Sequence, residues 1–241
     1  MWEAYWLYYI LGIILLPGII LGIYAQTKVN TNYNKYSKVL SKKGLSGSQV
    51  ARLILDTAGL YDYKVVKISG KLTDNFNPKT KTVSLSQEVY DSTSVASLGI
   101  ASHEVGHALQ YANNYVPMKV RSIAIKVTNF ASAFLWPIIM IGLLLDFVIL
   151  TNSVVGDIFL IAGVTFFALA VIVDLVTLPV EFNASNRAKK ILGESSICDS
   201  SEMVGVKKVL DSAALTYVAS LVVSILNLLR FIIVVNSRNK D

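Results

Sequence analysis

Histidine is nearly missing from this sequence: the chain holds two, His103 and His107, four apart in 101-ASHEVGHALQ-110. Cysteine is rarer still. Cys198 is the one example, which excludes an intramolecular disulfide and suits a small residue in a loop, without redox or nucleophilic work. Charge is thin too, at 16% of residues against about 25% in ordinary soluble domains. There is no internal repeat, low-complexity tract or Pro-rich linker. What fills the chain is apolar: 54% of its residues are hydrophobic and mean hydropathy is +0.55. That balance points to a membrane protein.

Four runs approach the ~20 residues that cross a bilayer: 4–24, roughly 130–150, roughly 157–178 and roughly 213–235. The first has no Lys or Arg ahead of it, an apolar stretch too long for a signal peptide, and no small-x-small cleavage site after it. A permanent anchor is expected, with Trp2, Tyr5, Trp6, Tyr8 and Tyr9 as an aromatic belt at one interface.

Lys and Arg are unevenly placed. Residues 25–129 are dense in them (Lys28, Lys35, Lys38, Lys42, Lys43 and Arg52 among others), and 179–212 carries Arg187, Lys189, Lys190, Lys207 and Lys208. The N-terminal lead and 151-TNSVVG-156 carry none. The positive-inside bias therefore puts 25–129 and 179–212 in the cytoplasm and the other two outside. The net charge of +6 is then explained by an anionic inner leaflet, without nucleic acid. A fully crossing last run would place Arg238 and Lys240 outside, against that bias; Arg230 could snorkel to an interface.

Between the first two runs there is enough chain for a small core. In 46-SGSQVARLILDTAGL-60, Ser46 and Gln49 have capping-box spacing, Val50, Leu53, Ile54 and Ala58 share an apolar face, and Gly59 suits a C-cap. Two β-rich runs follow, 64-KVVKIS-69 and 81-KTVSLS-86, separated by 74-DNFNP-78, whose Asp, Asn and Pro favour a turn. The run 94-SVASLGIASHEVGHALQYA-112 reads as a helix N-capped by Ser94, with Pro117 beyond its end.

Helical spacing puts His103 and His107 one turn apart on one face, with Glu104 beside them. Two imidazoles so placed can take two corners of a zinc tetrahedron, and the carboxylate can reach a water on an open corner. A chance match is the competing reading. Against it, the only two histidines are clustered, and small or apolar residues flank them so the helix can pack while its polar edge faces a cleft. The β-rich run at 81–86 could serve as an edge strand for an extended peptide.

A third histidine is unavailable, and Gln110 and Asn113 stand where a longer metzincin pattern needs Gly and His. A carboxylate must complete the set. Asp146 and Asp174 fall inside expected spans and Asp157 outside the membrane, whereas Glu181 emerges on the same side as the histidines, just after Pro179. Read from spacing alone, Glu181 serves equally well as an interfacial carboxylate paired with Arg187 or Lys189. Glu88, Glu194, Glu202 and the cytoplasmic aspartates are weaker candidates.

The run 72-LTDNFNPKTKTVSLSQEVYDSTSVASLGIASHEVGHALQYANNYVPMKVRS-122, with 179-PVEFNASNRAKKIL-192, resembles the YugP-type neutral zinc metallopeptidases of bacterial membranes. The likeness spans nearly the whole chain. That family looks like a membrane-bound gluzincin, distantly similar to HtpX-type and CAAX-processing proteases. The resemblance implies His103, His107 and Glu181 as ligands of Zn2+ and Glu104 as catalytic base. Two positions depart from the related pattern: Ser185 stands where an aspartate often orients a histidine, and Asn183 where an aspartate is expected. The sequence does not identify an oxyanion stabiliser; Tyr111, Tyr115 and Arg187 are candidates that serve equally as ordinary surface or interface residues.

The expectation is thus a mainly α membrane protein of about four transmembrane helices with a small cytoplasmic α+β gluzincin-like domain. Its parts would be an anchor (1–25), a metallopeptidase domain (26–129), a transmembrane hairpin (130–178), a cytoplasmic helix supplying the third ligand (179–212) and a hydrophobic C-terminal segment with its tail (213–241). The expected activity is zinc-dependent endopeptidase action on peptides or proteins, membrane proteins included, at the bilayer's inner surface, with a role in membrane protein quality control. A non-catalytic zinc-binding scaffold or chaperone is the alternative. The intramembrane carboxylates Asp146 and Asp174 motivate a transporter as a third reading.

Overall fold

The computed structural model describes residues 10–129 and 154–238, which are mostly helical. The aromatic belt, Asp146 and the apolar run at 130–150 lie outside them. A short 3-10 turn, Leu11–Leu15, leads into α1, Leu16–Tyr36. After α2 (Gly47–Thr57) come β1 (Lys64–Ile68), β2 (Asn75–Asn77) and β3 (Thr82–Ser86), then α3 (Gln87–Tyr90) and α4 (Val95–Ala112). Residues 116–129 belong to α5, and two long helices follow, α6 (Val154–Glu194) and α7 (Ser200–Arg238).

Among the described residues, three helices are long and apolar enough to cross a membrane: Leu11–Tyr36, Ile161–Glu194 and Ser200–Ile233. At 1.5 Å per residue, the 41 residues of α6 reach roughly 60 Å, about twice a bilayer's hydrocarbon core. Pro179 lies inside α6 and does not end it.

The chain divides into two compact units. One comprises Met1–Ile23, Val120–Thr177 and Tyr217–Asp241; the other comprises Tyr24–Lys119 and Leu178–Thr216. In the first, the Asp174 carboxylate on α6 accepts hydrogen bonds from Ser220 Oγ at 3.3 Å and Ser224 Oγ at 2.5 Å, both on α7. Such interhelical bonds give a membrane carboxylate local partners.

The second unit folds around α4. Ser46 caps α2 in a full capping box with Gln49. At the other end Gly59 takes φ +73°, and the amides of Gly59 and Leu60 bond the Asp56 and Leu55 carbonyls, a Schellman closure. The face that α2 buries is Val50, Ala51, Ile54 and Leu55; Leu53, expected on it, is exposed.

The sheet order is β1-β3-β2, with β1 parallel and β2 antiparallel to β3. This corrects two expectations. The 74–78 segment holds a strand, and the 81–86 run is the central strand, so β1 and β2 are the edges. Asp74 pins the start of β2 by accepting from the Ser86 amide at 2.8 Å and its hydroxyl at 3.1 Å. Phe76 faces Val83 in register and packs against Tyr63 and Tyr111, which outweighs the turn preference of its asparagine neighbours.

Val83 and Leu85 of β3 join Val50, Leu55, Leu98, Val105, Leu192 and Val206 in one core. Cys198 is also buried there, in a loop as expected, and burial pushes its thiol up to about 12, which leaves it inert.

Candidate metal centre

Helix α4 is capped by Ser94, whose hydroxyl accepts from the Ser97 amide, and nearly all its faces are buried. It can be so enclosed because it presents small residues where other helices approach. A Cβ on Gly106 would sit 2.7 Å from the Ala184 carbonyl oxygen of α6, so only glycine permits this approach. The close contact sets α6 beside the histidine face of α4.

There the side chains converge. His103 Nε2 lies 3.3 Å from Glu181 Oε2, and His107 Nε2 lies 3.4 Å from the same oxygen. The rings are 4.8 Å apart between centroids and nearly perpendicular. One donor atom from each of the three residues falls within 4.8 Å of the others, the grouping a single metal ion requires. Glu181 is 2% exposed, too buried to be a casual surface carboxylate.

The donor set fits zinc: two imidazole nitrogens and one carboxylate oxygen leave a fourth tetrahedral position for water or substrate. Both outer ring nitrogens are held from behind. Ser185 Oγ lies 3.0 Å from His103 Nδ1, and Gln110 Oε1 lies 2.9 Å from His107 Nδ1. Ser185 thus occupies the place of the orienting aspartate, with a hydroxyl in place of a charge. Asn183, the other departure, accepts from Gln110 Nε2 at 3.0 Å and Arg187 Nε at 2.8 Å. Gln110 is the residue that sequence reasoning missed; its position three residues after His107 on the same helix was the available signal.

Other candidates are engaged elsewhere. Lys189 pairs with Asp211 at 2.6 Å and Arg187 donates to Asn183, so each cation considered as an interfacial partner of Glu181 has a partner of its own. Glu88 accepts from Tyr33, Glu194 pairs with Lys190, and Glu202 accepts from the Lys42 and Asp199 amides. Tyr111 packs on Phe76, at 6.1 Å between centroids, and Tyr115 is half-buried past the end of α4.

Glu104 is 8% exposed, next to His103 on α4. Burial pushes its carboxyl above the ordinary range; His103 and His107 pull it back, while the charges of Asp74 and Glu181 push it further up. Such a carboxylate holds a proton better than an exposed one, which suits a general base. For His107, burial opposes the charged ring, but the bond to Glu181 and the charges of Glu104 and Glu181 win and hold its pKa above the usual imidazole value.

Fold and donor set together define a membrane protein with a His-His-Glu group on two packed helices that could hold a metal ion. The chain belongs to the family described as "putative neutral zinc metallopeptidase", whose pattern it matches over residues 11–236. It is 43% identical over 223 residues to a Bacillus subtilis (strain 168) protein named "Putative membrane protease YugP", covering 92% of this chain and 95% of that protein. No solved structure matches the chain.

Proposed function

We propose that this protein is a membrane-embedded zinc endopeptidase with its site facing the cytoplasm. The observation that carries the reading is the convergence of His103 Nε2, His107 Nε2 and a Glu181 oxygen, with the Glu104 carboxylate adjoining on the same helix. His103, His107 and Glu181 would hold the ion. Zinc in such a site supplies Lewis acidity that brings the pKa of a water towards ~7. Glu104 would accept a proton from water attacking the peptide carbonyl and return it to the amine nitrogen as the C–N bond breaks.

Substrate would lie along β2. As an edge strand it offers main-chain groups to an extended peptide, and its start at Asp74 is close enough to Glu104 for the two charges to act on each other. A site at the foot of membrane helices suits misfolded membrane proteins or peptides near the inner leaflet, hence a role in quality control.

The test uses purified full-length protein, an unfolded protein substrate and metal analysis. Glu104→Gln is expected to keep zinc and to lose cleavage by on the order of 10²–10⁴-fold, the usual contribution of a general acid–base group. Glu181→Ala is expected to lose zinc itself. If Glu104→Gln cuts as fast as the unmodified protein, the mechanism is wrong. If neither protein cuts while both hold zinc, a non-catalytic zinc scaffold takes its place.

A further inference from the structure

We infer that Gln110 is a positioning residue, whose side-chain amide sets the tautomer of His107 and ties that ring to the helix carrying Glu181. The inference rests on the metal-site reading above and adds a residue to it.

The argument is one of hydrogen-bond direction. Arg187 Nε–H can only donate, and it lies 2.8 Å from the Asn183 side chain, so the Asn183 atom facing it is the oxygen. The Gln110 atom 3.0 Å from that oxygen must then be the amide nitrogen. The same nitrogen lies 2.8 Å from the Val180 carbonyl, which can only accept. Two fixed points therefore agree on how the amide is turned. Its oxygen is left facing His107 Nδ1 at 2.9 Å, and an oxygen without a proton can only accept. Nδ1 must carry the hydrogen. In the neutral ring the lone pair then sits on Nε2, the atom turned to Glu181.

Gln110 is 0% exposed, so water does not compete for these contacts. Val180 immediately precedes Glu181 and Asn183 follows two later, so the amide grips α6 on both sides of the ligand. Only an amide can do both jobs. A glutamate here would still accept from His107, yet it would set oxygen against oxygen at Val180 and Asn183. An apolar residue would do neither.

Because the chain has two histidines, 15N-histidine labelling of the full-length protein in detergent gives a spectrum with the ring nitrogens of those two residues alone. In metal-free protein, at a pH where both rings are neutral, His107 is expected as the Nδ1–H form. Gln110→Met is expected to move it towards Nε2–H and to weaken zinc binding by about 10–100-fold, the usual loss when a ligand's outer partner is removed. Gln110→Glu is expected to keep the Nδ1–H signal, since the acceptor remains, while zinc binding weakens through the lost grip on α6. An Nε2–H signal in the unmodified protein overturns the inference, as does Gln110→Met with unchanged nitrogen shifts and zinc affinity. Should Gln110→Met fail to fold, loss of the Nδ1–H signal in Gln110→Glu is the overturning result. The tautomer is read without metal and without substrate. Unmodified protein that takes up no zinc would sink the peptidase reading, whereas an Nε2–H ring in protein that does bind zinc would sink this one.

Discussion

His107 stands between two demands. The contacts of its ring favour the charged form and hold its pKa above the usual imidazole value of about 6.5. A raised folded-state pKa means that stability from this charged contact is fully present below about pH 6.5 and is lost as pH rises through the folded pKa. Zinc needs the ring neutral, so metal affinity runs the other way. It should fall with decreasing pH, beginning above the pH at which a free imidazole titrates. Zinc titrations between pH 6 and 9 check this, and a flat affinity across that range would refute it. At this scale the two histidines and Glu104 are legible because one helical turn relates them. Glu181 is legible only through the charge map and the family likeness. Ser185 and Asn183 are legible only as positions where the related pattern carries an aspartate, and Gln110 is not legible as a partner of the site, because no local pattern carries a contact such as Gln110 to Val180, across 70 residues of sequence.

Hydropathy finds the apolar stretch of a helix and is blind to its polar continuation. Thus α1 runs on to Tyr36 and α6 to Glu194, well past the apolar runs that announce them. The continuation is where the chemistry is: Glu181, Asn183, Ser185 and Arg187 all belong to α6 beyond its most apolar part. The three-residue strand β2 was hidden for a different reason, since Asn75 and Asn77 favour turns and only pairing with β3 and the packing of Phe76 decide otherwise. What joins the two ligand-bearing helices is Gly106. Its missing Cβ allows the Ala184 backbone to approach, and backbone cannot step aside as a flexible side chain can. Gly106→Ala should therefore separate α4 from α6, at a cost of about 1–3 kcal/mol for overpacking. Zinc affinity should drop further than stability alone implies, because the ligands sit on opposite sides of the widened contact. Thermal unfolding with and without zinc measures both, and a variant with normal zinc binding would show that the approach is not needed.

At the scale of the molecule, the site constrains the path of the chain. His103 and His107 meet Glu181, so all three lie on one side of the membrane. If α6 crosses once before reaching Glu181, the chain must cross once more between α4 and α6. Residues 130–150 are the apolar run available for it. Of the 22 Lys and Arg residues, all but Arg230, Arg238 and Lys240 fall in 25–129 and 179–212, the stretches that supply the site. From the positive-inside bias we predict that this side is cytoplasmic and that residues 151–156 face outside. Cys198 makes the prediction easy to check, being the sole cysteine and buried. In a Cys198→Ser background, Asn152→Cys should react with a membrane-impermeant maleimide in intact cells. Lys79→Cys, at an exposed position in the hairpin between β2 and β3, should react only after the cells are opened. The reverse pattern would turn the protein over in the membrane and move the site to the outer surface. Equal labelling of both in intact cells would remove the crossing at 130–150, and with it the parity that brings Glu181 back to the histidines.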